Sequence, residues 1–327
     1  MGLATPPLEA SRTRRTTPKA PRQALPAQAT ILPGNASDWD RSVAEAARRV
    51  MGGRGGAVVA MDPRTGRVLS IVNPDYALWH AYQPCSVFKI AVAVAGLSEG
   101  VITPQTRIPC TTGCWQWAGH GPIDLRRALA VSCNPYFERV GEQLGYEKIQ
   151  KYARLLGLGE LSGINLTGEV PGTLPVSVEP EGVGHLSSHA AGISTTAVQI
   201  AVLISAAING GIVFQPQVAG ERGFQPKERW RLPPGTVFDG LAEGFMSAVN
   251  EGSAASAFDP DVLVAGKTGS CARVGWFASY APADQPELVL VVFMRRGNGH
   301  LASALAGRIY LELFKQSPGA SAAGGGR

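Results

Sequence analysis

The chain is poor in charged residues, in aromatic residues and in cysteine. Of its 327 residues, 17% are charged and 7% are aromatic, and the five cysteines are spread along the sequence. Cysteines this sparse exclude a small domain held together by a disulfide framework, and only Cys110 and Cys114 invite pairing. With 45% of its residues apolar, the chain can bury its own core in one large or two modest domains.

Long hydrophobic runs are also missing. The longest candidate, residues 197–208, is interrupted by Gln199 and Ser205, so neither a signal-peptide core nor a transmembrane helix is indicated. The net charge of +5 lies mostly in the first thirty residues, which carry five basic side chains and one acid. We interpret residues 1–37 as a disordered basic leader without a nucleic-acid partner, residues 38–316 as the folded domain, and residues 317–327 as a flexible Gly/Ala tail.

Strand patterns stand at both ends of the folded part, and helical patterns fill the middle. The segments with strand character cover residues 56–62, 66–72, 262–269, 274–281 and 287–294. Helical periodicity covers residues 39–51, 87–97, 125–131, 135–144, 146–156, 195–208 and 301–314. These patterns predict an α+β fold, with one five-stranded antiparallel sheet flanked by helices and an all-helical lobe. A cleft is expected where the two lobes meet.

Ser86 and Lys89 lie three residues apart in the apolar segment QPCSVFKIAVAVAG, a spacing that places both on one helix face. A hydroxyl is a poor nucleophile at neutral pH, and a lysine amine can act as its base only if burial or a nearby cation lowers its pKa. The pair alone is a common pattern. Most such pairs are surface decoration. An unpaired buried lysine, however, is costly unless it has a function, so catalysis remains the alternative interpretation.

The segment SCNPYF places Ser132 and Asn134 where one predicted helix ends and Pro135 begins the next. A hydroxyl and a carboxamide two residues apart can relay a proton and hold a peptide backbone. They can equally cap a helix, and capping is the simpler interpretation of this segment by itself.

The segment AGKTGS adds a third polar group on a predicted strand. Lys267 offers positive charge, Thr268 and Ser270 offer hydroxyls to a carboxylate, and Gly269 lets a substrate backbone come close. A phosphate loop is rejected, because position 261 is Asp where that motif needs glycine.

In chain order, Ser-x-x-Lys, Ser-x-Asn and Lys-Thr-Gly resemble the three-part signature of penicillin-binding proteins and serine β-lactamases. The likeness extends over residues 56–314. It includes the segments GHGPIDLRRALAVSCNPYFERVGEQLGYEKIQKYARLLGLG, NLTGEVPGTLP, TTAVQIAVLISAAINGG and VGWFASYAPADQPELVLVVF, which look like transpeptidase-domain sequence.

This resemblance implies roles for the first two motifs. Ser86 is expected to attack the carbonyl of a D-alanyl-D-alanine stem peptide or a β-lactam and to form an acyl-enzyme, while Lys89 takes the proton. Ser132 is expected to relay protons with Lys89, and Asn134 to hold the substrate amide.

For the third motif, the resemblance implies that Lys267, Thr268 and Ser270 receive the terminal carboxylate of the substrate. The backbone N–H groups of Ser86 and Ser270 are expected to form an oxyanion hole. Fixed donors aimed at a developing oxyanion are each worth about 3 to 4 kcal/mol.

The function implied is a D,D-transpeptidase of peptidoglycan synthesis, with stem peptides and β-lactams as ligands and no cofactor. A glycan polymerase or cell-division protein is a candidate partner, and the extracytoplasmic face of the cell envelope is the expected location. A D,D-carboxypeptidase, a slow serine β-lactamase and a non-turnover β-lactam sensor or scaffold stay as alternatives. Asn134, where class D β-lactamases and related sensors carry valine, favours a penicillin-binding protein.

The remaining cysteines and histidines receive simpler interpretations. Cys110, Cys114 and His120 have loose metal-like spacing, so a disulfide, free thiols and zinc remain open, and no metal is assigned. Cys85 is interpreted as a buried spectator beside the nucleophile. The glycine-rich segment that holds His185 and His189 is interpreted as a groove-lining loop.

Overall fold

The computed structural model describes residues 29–315, except residues 112, 113, 115–118 and 222. Most of the predicted leader and all of the predicted tail therefore lie outside the described residues. Residues 30 and 31, inside the range predicted as leader, form a short strand of the main sheet. Within the described residues, no helix is both long and apolar enough to cross a bilayer.

The main sheet is mostly antiparallel. Its strands are β1 (Thr30–Ile31), β2 (Gly56–Met61), β3 (Arg67–Val72), β7 (Gln217–Val218), β9 (Ala265–Cys271), β10 (Val274–Ala281) and β11 (Leu288–Met294). Their order is β1-β3-β2-β11-β10-β9, and β7 pairs with β3 in parallel. The pairing of β2 with β11 confirms that the two ends of the chain share one sheet.

The predicted count of five strands is wrong, since the sheet has seven. All five expected strands are present, and the two additional ones, β1 and β7, are two residues long each. A two-residue strand is too short to show the alternation of apolar and polar residues by which strands are recognised. The α+β class itself is confirmed.

Helices cover both faces of the sheet and build a separate helical lobe. The helices are α1 (Asp38–Met51), α2 (Pro74–Leu78), α3 (Lys89–Ser98), α4 (Leu125–Ala130), α5 (Asn134–Leu144), α6 (Tyr146–Leu155), α7 (Pro180–His189), α8 (Ala197–Ile208), α9 (Leu241–Glu251) and α10 (Gly299–Phe314). Single 3₁₀ turns cover Cys85–Phe88 and Ala255–Ala257, and two small hairpins pair β4 (Ile108–Cys110) with β5 (Gly121–Ile123) and β6 (Ile212–Phe214) with β8 (Glu228–Arg231).

The side chains of each central strand point alternately into two hydrophobic cores. In β2, Ala57 and Val59 belong to the core shared with the helical lobe, and Val58 and Ala60 belong to the core under α1 and α10. Helix α3 is buried from Lys89 to Leu97, which explains its apolar sequence on all sides. One end of this buried helix therefore carries a lysine into the interior.

Candidate active site

The three sequence motifs meet at one cleft. The cleft has a volume of about 630 Å³, and its lining includes Ser86, Ser132, Asn134, Thr268 and Ser270. We refer to Ser132 and Asn134, with Lys89 behind them, as the helical wall. Thr268 and Ser270, with Lys267 behind them, form the strand wall. The structure therefore brings Ser86, Ser132, Asn134, Thr268 and Ser270 to one cleft.

Ser86 lies in the 3₁₀ turn that precedes α3, and its side chain is partly exposed to the cleft. We call residues 83–86 the nucleophile turn, after the role predicted for Ser86. Trp276 of β10 donates its indole N–H to the carbonyl of Gln83 at 2.8 Å, and Gln83 donates its side-chain amide to the carbonyl of His189 at 2.7 Å. Hydrogen bonds from the sheet and to the helical lobe therefore both hold the turn that carries Ser86.

Cys85 is not the buried spectator that the sequence suggested. It forms a disulfide with Cys271 at the end of β9, across 186 residues of sequence. The backbone of Cys85 has a φ of 54°, in the left-handed region that residues with a Cβ seldom occupy. The disulfide thus ties the residue before Ser86 directly to the end of the strand wall.

Lys89 is completely buried and lies at the centre of the helical wall. Its Nζ is 2.8 Å from the carbonyl oxygen of Ser132, 3.3 Å from Ser132 Oγ and 2.6 Å from Asn134 Oδ1. Burial lowers the pKa of Lys89 to about 7, because the charged form is poorly solvated. A neutral amine can donate to the two carbonyl-type oxygens and still accept a proton from a hydroxyl.

The connection between α4 and α5 gives Ser132 its orientation. Ser132 has a φ of 56°, a left-handed conformation that turns both its carbonyl and its hydroxyl toward Lys89. Residues held in such sparsely populated conformations cluster at functional sites. The capping interpretation of Ser132 is therefore replaced by a contact with the buried lysine.

A chain of hydrogen bonds behind Asn134 fixes its amide. Because Oδ1 accepts from Lys89, Nδ2 is the donor to His189 Nε2, 3.2 Å away. His189 Nδ1 lies 2.6 Å from Ser188 Oγ, which donates to Glu138 at 2.9 Å. The pKa of His189 is lowered mainly by burial and next by the charges of His185 and Lys89. A neutral ring with its proton on Nδ1 therefore fits this network.

The segment with His185 and His189 is helical, contrary to the loop that its glycines suggested. It forms α7, and the two rings stack with centroids 4.6 Å apart, as residues four apart on a helix can. The helix places His189 against Asn134. Sequence reasoning missed this contact, because nothing local in either segment indicates that the other is near.

The strand wall owes its geometry to the pairing of β9 with β10. Thr268 and Ser270 are two residues apart, so both point to one face of the strand. Thr268 Oγ1 lies 2.7 Å from the Oγ of Ser253, and Ser270 Oγ accepts from the backbone N–H of Gly299 at 2.7 Å. Ser253 and Gly299 also line the cleft and carried no recognisable motif in the sequence.

Lys267 and Gly269 do not line the cleft. Lys267 is fully buried, donates to the carbonyl of Thr268 at 2.9 Å, and has its pKa lowered by burial and by the charge of Lys89. A Cβ added at Gly269 would lie 2.7 Å from the carbonyl oxygen of Pro84, so glycine there permits close packing of β9 on the nucleophile turn. Their predicted roles toward substrate remain predictions.

Charged side chains complete the cleft at the side of α4 and α9. Arg127 and Glu251 both line it, with 3.7 Å between the guanidinium and the carboxylate. His120 and His300 line it as well. These four residues come from elements that no motif marked, and sequence reasoning missed all of them except His120, which it noted for another reason.

The fold and the cleft agree with the class of protein that the three motifs suggested. Residues 56–315, most of the chain, match the family model "Penicillin binding protein transpeptidase domain". The chain belongs to this family.

Two curated relatives illustrate the match. Stage V sporulation protein D of Bacillus subtilis is 29% identical over 297 residues, which cover 74% of this chain and 45% of that protein. The peptidoglycan D,D-transpeptidase MrdA of Acinetobacter baumannii is 26% identical, over 81% of this chain and 51% of that protein. The chain thus spans about half the length of these relatives.

Solved structures agree on the fold. PBP2 of Pseudomonas aeruginosa superposes with a TM-score of 0.73 at 24% identity, over 84% of this chain and 76% of that one. A chain from a peptidoglycan synthase complex superposes with a TM-score of 0.70 at 26% identity, over 86% of this chain and 61% of that one. These likenesses confirm the expected fold.

Proposed function

We propose that this chain is a D,D-transpeptidase that acts on peptidoglycan stem peptides through an acyl-enzyme on Ser86. The observation that carries the proposal is the convergence of Ser86 with the helical and strand walls, with a buried Lys89 whose pKa burial lowers to about 7. Such a lysine is half neutral near physiological pH, which is what a general base requires. The curated relative MrdA carries the name of this activity.

In the acylation step, the Oγ of Ser86 forms a bond to the carbonyl carbon of the penultimate D-alanine. Its proton passes to the neutral amine of Lys89 and on through the hydroxyl of Ser132. The bond from that carbon to the nitrogen of the terminal D-alanine then breaks, and the departing amine takes the proton. In the second step an acceptor amine forms a bond to the same carbon, the ester bond to Ser86 Oγ breaks, and the proton lost by the amine returns to that oxygen through Lys89 and Ser132. In both steps the backbone N–H groups of Ser86 and Ser270 stabilise the oxyanion.

The cleft also supports the roles of the remaining residues. Asn134 is fixed by Lys89 and His189, so its amide is preorganised toward a peptide backbone. Thr268 and Ser270 present hydroxyls to the terminal carboxylate, and Arg127 brings a positive charge to the same cleft. Lys267 contributes from behind this wall, as a buried neighbour of Lys89.

A location on the extracytoplasmic side of the cell envelope fits this activity. The disulfide between Cys85 and Cys271 supports it, because disulfides persist in oxidising compartments and are rare in the cytosol. Two of the similar structures are assemblies, one a peptidoglycan synthase complex and one PBP2 with MreC from Helicobacter pylori. We include a glycan polymerase or another cell-wall protein as the expected partner of this chain.

The experiment that tests the proposal follows a D-alanyl-D-alanine stem peptide in the presence of a D-amino acid acceptor. Exchange of the terminal D-alanine for the acceptor supports transpeptidation, and release of D-alanine without exchange indicates a carboxypeptidase instead. Ser86→Ala should abolish the reaction, and Ser42→Ala, on the exposed side of α1, serves as the matched control. The absence of any turnover with correctly folded protein would contradict the proposal.

A further inference from the structure

Three thiols and one imidazole converge beside the helical wall. Cys110 ends β4, Cys114 and His120 follow in the connection to β5, and Cys133 lies between Ser132 and α5. Their four possible ligand atoms all lie within 4.8 Å of one another. His120 Nδ1 is 3.3 Å from the Sγ atoms of both Cys110 and Cys114.

The fold, and not the sequence spacing, brings this set together. Cys110 pairs with Gly121 in the β4-β5 hairpin, and the backbone N–H of His120 donates to the carbonyl of Cys110 at 2.9 Å. Cys133 comes from a different element, where its backbone N–H bonds to the carbonyl of Ala128 at 2.9 Å. Cys133 is the fourth possible ligand, which the spacing of Cys110, Cys114 and His120 in the sequence did not indicate.

The distances fit one tetrahedral ion. Zinc bonds of about 2.3 Å to sulfur and about 2.0 Å to nitrogen place ligand atoms about 3.5 to 3.8 Å apart at a tetrahedral centre. The observed 3.3 Å contacts of His120 and the 4.8 Å upper limit bracket that range. Three cysteines and one histidine form one of the donor sets of structural zinc, and thiolate ligands disfavour calcium and magnesium.

We propose that Cys110, Cys114, His120 and Cys133 bind one structural zinc ion. Four protein ligands close the site, so the ion holds elements together and leaves no position for substrate. Cys133 is covalently joined to Ser132 and Asn134, so the ion ties the β4-β5 hairpin to the helical wall. The inference rests on the ligand geometry and is independent of the proposed reaction.

The rival state is a disulfide between two of the thiols. All three cysteines are free thiols in the structure, and only two of three can pair. A disulfide needs no histidine, whereas the zinc site uses His120 as a ligand. The dependence on His120 therefore separates the two states.

The test is the zinc content of the purified full-length chain, measured by inductively coupled plasma mass spectrometry. We expect one zinc per chain. The variants His120→Gln and Cys114→Ser should lower zinc affinity at least about 100-fold. His80→Gln, which changes an exposed histidine at the surface, should keep the zinc.

A second measurement covers the case that a ligand variant folds poorly. Co²⁺ substituted into the wild-type chain should give the intense visible absorption of tetrahedral thiolate ligation, and removal of zinc with a chelator should lower the melting temperature until zinc is restored. A metal-free chain with a Cys110–Cys114 or Cys110–Cys133 disulfide after non-reducing peptide mapping would overturn the proposal. Unchanged zinc content in His120→Gln would overturn this ligand set.

Discussion

The helical wall and the strand wall each contain a fully buried lysine, but the two lysines are placed differently. Lys89 contacts Ser132 and Asn134, both of which line the cleft, and burial lowers its pKa to about 7. Lys267 contacts the backbone carbonyl of Thr268 and does not line the cleft. The first lysine can exchange protons with cleft hydroxyls, and the second acts as a fixed part of the wall.

The two walls also differ in what holds them. Hydrogen bonds that Lys89 donates and that His189 accepts fix the helical wall, in a connection with an unusual backbone conformation at Ser132. Strand pairing and the disulfide between Cys85 and Cys271 fix the strand wall. We therefore expect the helical wall to supply the chemistry and the strand wall to supply the scaffold. The following variants test that division in order of expected effect.

Lys89→Met should have the largest effect, because it removes the base and keeps the apolar volume. We expect the acylation rate with benzylpenicillin to fall by about 10³-fold or more. Lys89→Arg should not restore it, since a guanidinium stays protonated. Lys151→Met, at an exposed lysine on α6, is the control. Near-normal acylation of Lys89→Met would remove the distinction between the two lysines.

Removal of the disulfide tests the strand wall. The double variant Cys85→Ser with Cys271→Ser should lower the free energy of unfolding by about 2 to 4 kcal/mol, measured by urea denaturation. Reduction of the wild-type chain under native conditions should have the same consequence. An unchanged urea midpoint in both experiments would show that strand pairing alone fixes the nucleophile turn.

The pH dependence of acylation sharpens the contrast between the lysines. Lys89 must be neutral to accept a proton, and burial lowers its pKa to about 7, so the rate should rise with pH and level off above about 7. Between pH 5.5 and 8 the neutral fraction rises about 30-fold for such a group. A rate that falls over this interval, measured by stopped-flow acylation, would contradict Lys89 as the base.

The smallest expected effect belongs to the hydroxyl of Thr268. Thr268→Val removes one hydrogen bond to Ser253 and one donor to the substrate carboxylate, and should raise KM about fivefold for each net kcal/mol lost. The acylation rate at saturation should change little. Thr236→Val provides the control, because the hydroxyl of Thr236 donates to the carbonyl of Pro233 at an exposed position before α9. A large loss at saturating substrate would assign chemistry to the strand wall.

Much of this fold and site could be predicted from the sequence. The five main strands have strand-like patterns, and the three motifs carry residue types that their predicted chemistry requires, so the sequence alone predicts that Ser86, Ser132 and Thr268 share one cleft, as they do in the structure. Local pattern contains no information about pairings between distant segments. The disulfide across 186 residues, the contact of His189 with Asn134, and the addition of Cys133 to the thiol cluster therefore appeared only in the folded structure.

The most direct test of the account is intact-protein mass spectrometry of the chain incubated with benzylpenicillin, followed by peptide mapping. We expect a single covalent adduct on the peptide that contains Ser86, absent from Ser86→Ala and retained by Ser42→Ala. An adduct on another residue, or an adduct that persists in Ser86→Ala, would contradict the assignment of Ser86 as the nucleophile. It would also contradict the roles expected for the two walls.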